Sequence, residues 1–301
     1  MNTTPSSTPH STRRALVLHG GGSAGNAWEI GVIAGLFDAG LDVTSADLIV
    51  GTSAGATAAA QITGARPAEL LSAILDAVLP QRTGPVSPGG GQAPARPAVN
   101  HLERTNAIIA AATDAADMRR RMGAAAIELD VDPEASVRWR AIVAARLPSQ
   151  SWPAQDIRIT AVDARTGEPV VFDRNSGVDL ADAVAASTSS GAPYRIGDNL
   201  YIDGGYRRNE NADLAAGYQR VLVLSPFGGR TRHPLEWGMQ LAAQVDELRD
   251  SGSAVETILP DDAALTAFGD NMMDPSTRPP AARAGYAQGS AEAAQLAEFW
   301  G

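Results

Sequence analysis

Neither cysteine nor lysine occurs among the 301 residues of this chain. The missing cysteine excludes thiol nucleophiles, disulfides and iron–sulfur ligation, and leaves the redox compartment open. The missing lysine makes all 24 basic residues arginine. That rules out Schiff-base chemistry, a serine–lysine dyad and a phosphate-loop lysine together. Histidine is scarce: His10, His19, His101 and His233 are the whole set, and no two stand at metal-ligand spacing. The sequence therefore offers no obvious metal site. Positive charge is also in deficit, with a formal net charge of −10. Such a balance argues against a nucleic-acid partner, which needs a basic footprint. It argues against firm docking on anionic membranes too, while leaving room for transient contact through a local apolar surface. No apolar run is long enough to cross a bilayer. Residues 1–13 are rich in Ser, Thr and Pro without an apolar h-region, so a disordered tail and a cytoplasmic location are expected.

What remains is 44% hydrophobic and 19% charged, ordinary for a folded domain. Short apolar runs at 15–18 and 48–50 each end in glycines, as buried parallel strands do. Between them a helix is expected with Trp28, Val32 and Leu36 on one face, stopping at Gly40. Its internal Gly31 and Gly35 are costly for propensity and suit close packing on a sheet. Pro67 opens a further helix bearing Leu70, Leu71, Ile74, Leu75 and Val78. Residues 80–100 turn to Pro and Gly, reading as a linker or as a lid, and 101–146 read as a helical insertion. Strands return at 157–162 and 169–172 around Thr166-Gly167, then at 221–224 and 254–259, with a helix over 235–249 and another before Trp300. Strands alternating with helices favour a mainly parallel sheet covered on both faces, with ligands at the strand carboxyl ends.

Both glycine turns fall at such ends. Gly51-Thr52-Ser53-Ala54-Gly55 has the G-x-S-x-G pattern between an apolar run and an alanine-rich helix. A nucleophile elbow needs small residues two positions either side of its serine so that strand and helix do not collide, and Gly51 and Gly55 meet this. The plainer alternative makes Ser53 a helix N-cap. Upstream, His19-Gly20-Gly21-Gly22-Ser23-Ala24-Gly25 can aim main-chain N–H groups at an anion. It also satisfies G-x-G-x-x-G, but the second strand ends in Val50-Gly51 where a dinucleotide site wants a ribose-binding carboxylate. A third arrangement, a Ser53–Asp203–His233 triad, follows the chain order of α/β-hydrolases. Its nucleophile comes after only two strands, early for that fold, and His233 sits in a loop.

Leu200-Tyr201-Ile202-Asp203-Gly204-Gly205 places a carboxylate at the end of an apolar run. Asp-Gly is by itself an ordinary hairpin turn. With lysine and cysteine absent, however, a buried aspartate of raised pKa is a base that could take the proton of Ser53. Together the glycine loop, the G-x-S-x-G serine and the D-G-G aspartate resemble the patatin-like phospholipase family, from about residue 14 to 259. The resemblance implies a three-layer α/β/α fold with a mainly parallel central sheet, spanning one acyl hydrolase domain over 14–301. It implies a Ser53–Asp203 dyad without histidine, and an oxyanion hole from Gly20, Gly21, Gly22, Ser23 and Gly25. Gly51, Thr52, Ala54 and Gly55 would form the elbow. No cofactor is implied, and the substrate would be a lipid or small acyl ester. Two softer matches, Ala186-Ser187 with Pro193 and Asn211-Ala212-Asp213, read more simply as a loop proline and a helix N-cap. One departure stands out: Ala24 occupies a position where many members carry arginine. A non-catalytic lipid-binding protein on the same scaffold is the competing functional class. Oligomeric state and acyl position are not encoded in any motif.

Overall fold

The apolar runs form strands because every side chain in them finds a dry neighbour on one sheet face or the other. The computed structural model describes residues 12–77 and 97–301, so the expected N-terminal tail, the Pro/Gly-rich segment up to residue 96 and Val78 lie outside the described residues. The strands are β1 (Arg14–Leu18), β2 (Leu48–Gly51), β3 (Asp156–Asp163), β4 (Pro169–Phe172), β5 (Tyr194–Ile196), β6 (Asn199–Asp203), β7 (Arg220–Leu224) and β8 (Ala254–Ile258). The α-helices are α1 (Gly22–Asp38), α2 (Ala54–Ile62), α3 (Pro67–Leu75), α4 (Pro97–Ala111), α5 (Ala115–Ile127), α6 (Ala135–Ala144), α7 (Leu180–Ser187), α8 (Leu241–Asp250), α9 (Asp262–Phe268) and α10 (Arg278–Trp300).

They build one sheet in the order β5-β6-β3-β2-β1-β7-β8, with β4 added on β3. From β3 through β8 the neighbours are parallel, while β4, β5 and β6 are antiparallel. Alternation sorts the central strands into two cores. Leu16, Leu18 and Ile49 face α1, α2 and α10, whereas Ala15, Val17, Leu48 and Val50 face α8. This is the expected three-layer α/β/α arrangement with a mainly parallel sheet. Helices α4 and α5 pack on the antiparallel side, where Met118 and Met122 of α5 meet Val162 and Ile202. Among the described residues no helix is long and apolar enough to cross a membrane.

Three local expectations need correction. Gly31 and Gly35 do pack closely, but against a helix and not the sheet. A Cβ at Gly31 would stand 2.2 Å from the Ala282 carbonyl, and one at Gly35 2.2 Å from that of Tyr286. Gly285 and Gly289 of α10 return the contact, with Cβ positions 2.3 and 2.2 Å from the Trp28 and Val32 carbonyls. The two helices thus approach backbone to backbone, and α1 is buried almost all round. The helix expected over 235–249 is two pieces. Leu235–Trp237 is a 3-10 turn ended by Gly238 at φ 63°, and α8 starts only at Leu241. Finally, Asp203-Gly204 is not a hairpin turn. The hairpin lies one strand earlier, between β5 and β6, and the chain after Asp203 enters a 3-10 turn over Gly204–Tyr206.

Candidate active site

β1 and β2 are adjacent and parallel, so their glycine-rich exits open on the same sheet edge. Ser53 sits at the tip of the second exit with φ 54° and ψ −118°. A non-glycine residue in that region costs about 1–3 kcal/mol, so the surroundings must hold it there. Several contacts do. The Ser53 amide donates to Ser187 Oγ at 2.9 Å, Thr52 N–H donates to the Leu18 carbonyl at 3.0 Å, and Gly55 N–H to that of Thr52 at 2.8 Å. Gly55 is required by space: a Cβ there would lie 2.2 Å from the Leu18 carbonyl oxygen. Gly51 is similarly enclosed, with a Cβ 2.7 Å from Ala56 Cα. Ser53 is not a conventional cap, since its hydroxyl makes no bond to the first turn of α2.

That hydroxyl instead donates to Asp203 Oδ2 at 2.7 Å. Asp203 ends β6, which pairs antiparallel with β3, and β3 in turn lies beside β2. The sheet therefore brings together two residues 150 positions apart. Burial pushes the Asp203 carboxyl up to about 6, against the pull of its two donors, Gly205 N–H and the Ser53 hydroxyl. It is thus ionised at neutral pH yet basic enough to accept a proton.

The glycine loop lies over the serine. A Cβ at Gly20 would fall 3.1 Å from Ser53 Cβ and 3.5 Å from its Oγ. Among the described residues the amides of Gly20, Gly21, Gly22 and Ser23 donate no hydrogen bond, whereas Ala24 N–H is taken by the Met272 carbonyl and Gly25 N–H by that of Gly21. Gly25 therefore supports the loop's shape and is no donor to an anion. Gly22 has φ 61° and begins α1, so the positive end of that helix adds to the field of the free amides. The Ala54 amide, heading α2, is also uncommitted among the described residues. Ala24 is fully enclosed.

His233 takes no part in this cluster. Its Nδ1 pairs with Thr231 Oγ1 at 3.2 Å, and burial with nearby Arg232 lowers it to about 4. A histidine triad needs an imidazole between serine and acid, but here the two bond directly. His19 is buried edge-on to Phe227, and desolvation lowers it to about 3, so it stays neutral.

Beneath the elbow lies a polar network built on Asn211, one of the two softer motif matches. Asn211 is left-handed at φ 58° and heads a 3-10 turn, but its side chain makes no cap bond. Its Nδ2 donates to Thr52 Oγ1 at 3.0 Å, Thr160 Oγ1 at 3.3 Å and the Gly204 carbonyl at 3.1 Å. The Thr52 and Thr160 hydroxyls are 3.0 Å apart. Asn211 thus ties the residue before the serine to the residue after the aspartate, and the expected capping role is wrong. Ser187 likewise has a task, since it holds the Ser53 amide. Besides the soft match at Asn211, the signal for this network in the sequence is Thr160, a hydroxyl in a largely apolar run that the sheet buries completely.

A family model described as patatin-like phospholipase matches residues 16–216, more than half of the chain. The protein belongs to that family, which supports lipid acyl hydrolase activity in general terms. Two solved structures are similar at low identity. VipD from Legionella pneumophila is 12% identical with a TM-score of 0.45, covering 95% of this chain and 67% of that one. The type III effector protein ExoU is 15% identical with a TM-score of 0.41, covering 94% of this chain and 53% of its own, so this chain spans about half its length. No curated protein matches the sequence.

Proposed function

We propose that the protein cleaves lipid acyl esters with Ser53 as nucleophile and Asp203 as its base. The observation that carries this is the 2.7 Å bond from the hydroxyl of Ser53, on its strained turn, to a buried Asp203 carboxylate, beneath amides with no other partner among the described residues. Asp203 accepts the hydroxyl proton as Ser53 Oγ adds to the ester carbonyl. The oxyanion so formed accepts hydrogen bonds from the loop of Gly21, Gly22 and Ser23, and one such donor is worth about 10²-fold or more in rate. Collapse breaks the ester C–O bond, and the proton passes from Asp203 to the departing alcohol. Water then loses a proton to Asp203, attacks the acyl-serine, and the carboxylic acid leaves as Ser53 regains its hydrogen.

The substrate class we favour is a phospholipid or lysophospholipid. Phe227 and Met273, both exposed apolar side chains, flank the glycine loop, and they support transient contact with a lipid surface. An organophosphonate probe followed by mass spectrometry tests the reading. A single adduct on Ser53 that disappears in Ser53→Ala supports it. Absence of any adduct would favour a lipid-binding protein without turnover. With the adduct in hand, a substrate panel across head groups and chain lengths would fix the ester.

A further inference from the structure

A cleft of about 560 Å³ opens between α1, α2, α3, the residues following α6 and the start of α10. Its volume lies in the range of small-ligand sites. Ile30, Leu70, Ile74 and Leu147 give it an apolar lining, and Gln61, Arg146 and Arg278 supply the polar groups. It is separate from the serine, because Gln61 lies eight residues along α2 from Ser53, about 12 Å of helix.

The charge in this cleft is unbalanced. Among the described residues neither Arg146 nor Arg278 has a carboxylate within ion-pair distance. Residues 1–11 and 78–96 contain no aspartate or glutamate, so their side chains cannot supply one. Desolvation lowers the pKa of both guanidinium groups, and the nearby charge of Arg146 lowers that of Arg278 further. Two neighbouring cations without an acid are unusual in a chain carrying 34 acidic residues against 24 basic ones. Arg278 is also held in place. Its Nη1 donates to the Ser23 carbonyl at 3.2 Å and to Asn26 Oδ1 at 3.0 Å, and Asn26 Nδ2 donates on to Gln61 Oε1 at 3.0 Å. Its Nε and Nη2 donors have no partner among the described residues. Arg146 lies over the Trp139 ring, 5.5 Å from the centroid. A fixed fork of unspent donors beside an apolar wall suits an anionic head on a hydrocarbon chain.

We propose that this cleft binds a fatty acid anion of about twelve carbons, its carboxylate between Arg146 and Arg278 and its chain along Ile30, Leu70, Ile74 and Leu147. The assignment goes beyond the hydrolase reading and does not require it, so it is tested in the Ser53→Ala variant of the 301-residue chain, where turnover cannot intervene. Isothermal titration would compare dodecanoate and dodecyl phosphate below their micellar concentrations with dodecanol below its solubility limit. The expected result is one dodecanoate per chain, with dodecanol weaker by about tenfold or more. Arg278→Gln and Arg146→Gln should each weaken dodecanoate by about tenfold, and Ala73→Trp should block it by filling the mouth. Thermal melting would show that each variant folds. If Arg278→Gln does not, Arg146→Gln decides alone, since among the described residues that side chain makes a ring contact and no hydrogen bond or ion pair. Dodecanol binding as tightly as dodecanoate, dodecyl phosphate binding tighter, indifference to both arginine changes, or no binding would each overturn the proposal. Phosphonate labelling of the parent protein is scored separately, so either idea can fall without the other.

Discussion

Among the described residues two serine side chains donate to a carboxylate, and only one of the two pairs has the surroundings that the proposed chemistry needs. At the first, Ser53 Oγ donates to Asp203 Oδ2 at 2.7 Å; at the second, Ser225 Oγ donates to Glu210 Oε1 at 2.9 Å. Both acids are raised by burial, Asp203 to about 6 and Glu210 to about 7. By distance and protonation alone they are close equivalents. They differ in everything around the pair. Ser53 is half-buried on a strained turn with free amides over it, whereas Ser225 is fully buried, has no positive φ, and accepts a hydrogen bond from Gly229 N–H at 3.1 Å. A hydroxyl next to a carboxylate is therefore common structural material. What makes a nucleophile is access, backbone strain and an anion-binding cradle within reach of it.

The sharpest way to break this contrast is to remove each acid in turn. Asp203→Asn should lower fatty acid release on the order of 10⁴-fold while the melting temperature holds or rises, because a buried group of raised pKa is neutralised. Glu210→Gln should leave turnover near that of the parent. Equal losses in both variants, read by the same release assay, would mean that the pairs are not distinct in the way described.

Stability against pH separates them next. Glu210 keeps its proton to about pH 7 in the folded chain and releases it near the ordinary 4.5 when unfolded. The unfolded state thus loses the proton first as pH rises, and folding stability falls between pH 4.5 and 7. The size of that fall is at most about 3 kcal/mol. Glu210→Gln should flatten this part of a denaturation series, most visibly between about pH 6 and 7, above the window in which Asp203 contributes. An unchanged curve would remove Glu210 as a buried acid.

The smallest effect sharpens the role of Asp203. As a base it must be ionised, so kcat/KM should level off above about pH 6 and drop about tenfold per unit below it. Glu210→Gln should leave that break where it is. A break near the ordinary carboxylate range, about pH 4, would mean the acid is far better solvated than its burial allows.

Much of this architecture is legible in the chain itself. The runs at 15–18, 48–50 and 221–224 announce the parallel strands because a strand buried on both faces must be apolar throughout. Gly51, Ser53 and Gly55 are readable because the turn tolerates so little else. Less can be seen where a residue's partner lies far along the chain. Tyr194-Arg195-Ile196 is too short and too mixed to declare itself a strand; pairing with β6 makes it one. Gly31 and Gly35 plainly seek a close neighbour, but nothing local says that α10, some 250 residues later, supplies it. Asn211 looks like a cap because Asn before a short helix usually is, and its three distant acceptors outcompete the local bond.

Composition and motif spacing by themselves narrowed the groups that could be proposed for the chemistry. With cysteine and lysine gone and the histidines poorly placed, an alcohol and a carboxylate were what was left, on glycine turns at strand ends. Which serine and which acid meet, which amides stay unspent, and which histidine stays idle were decided only in three dimensions. Those properties depend on strand order, on burial and on contacts between residues remote in sequence, and no local pattern carries them.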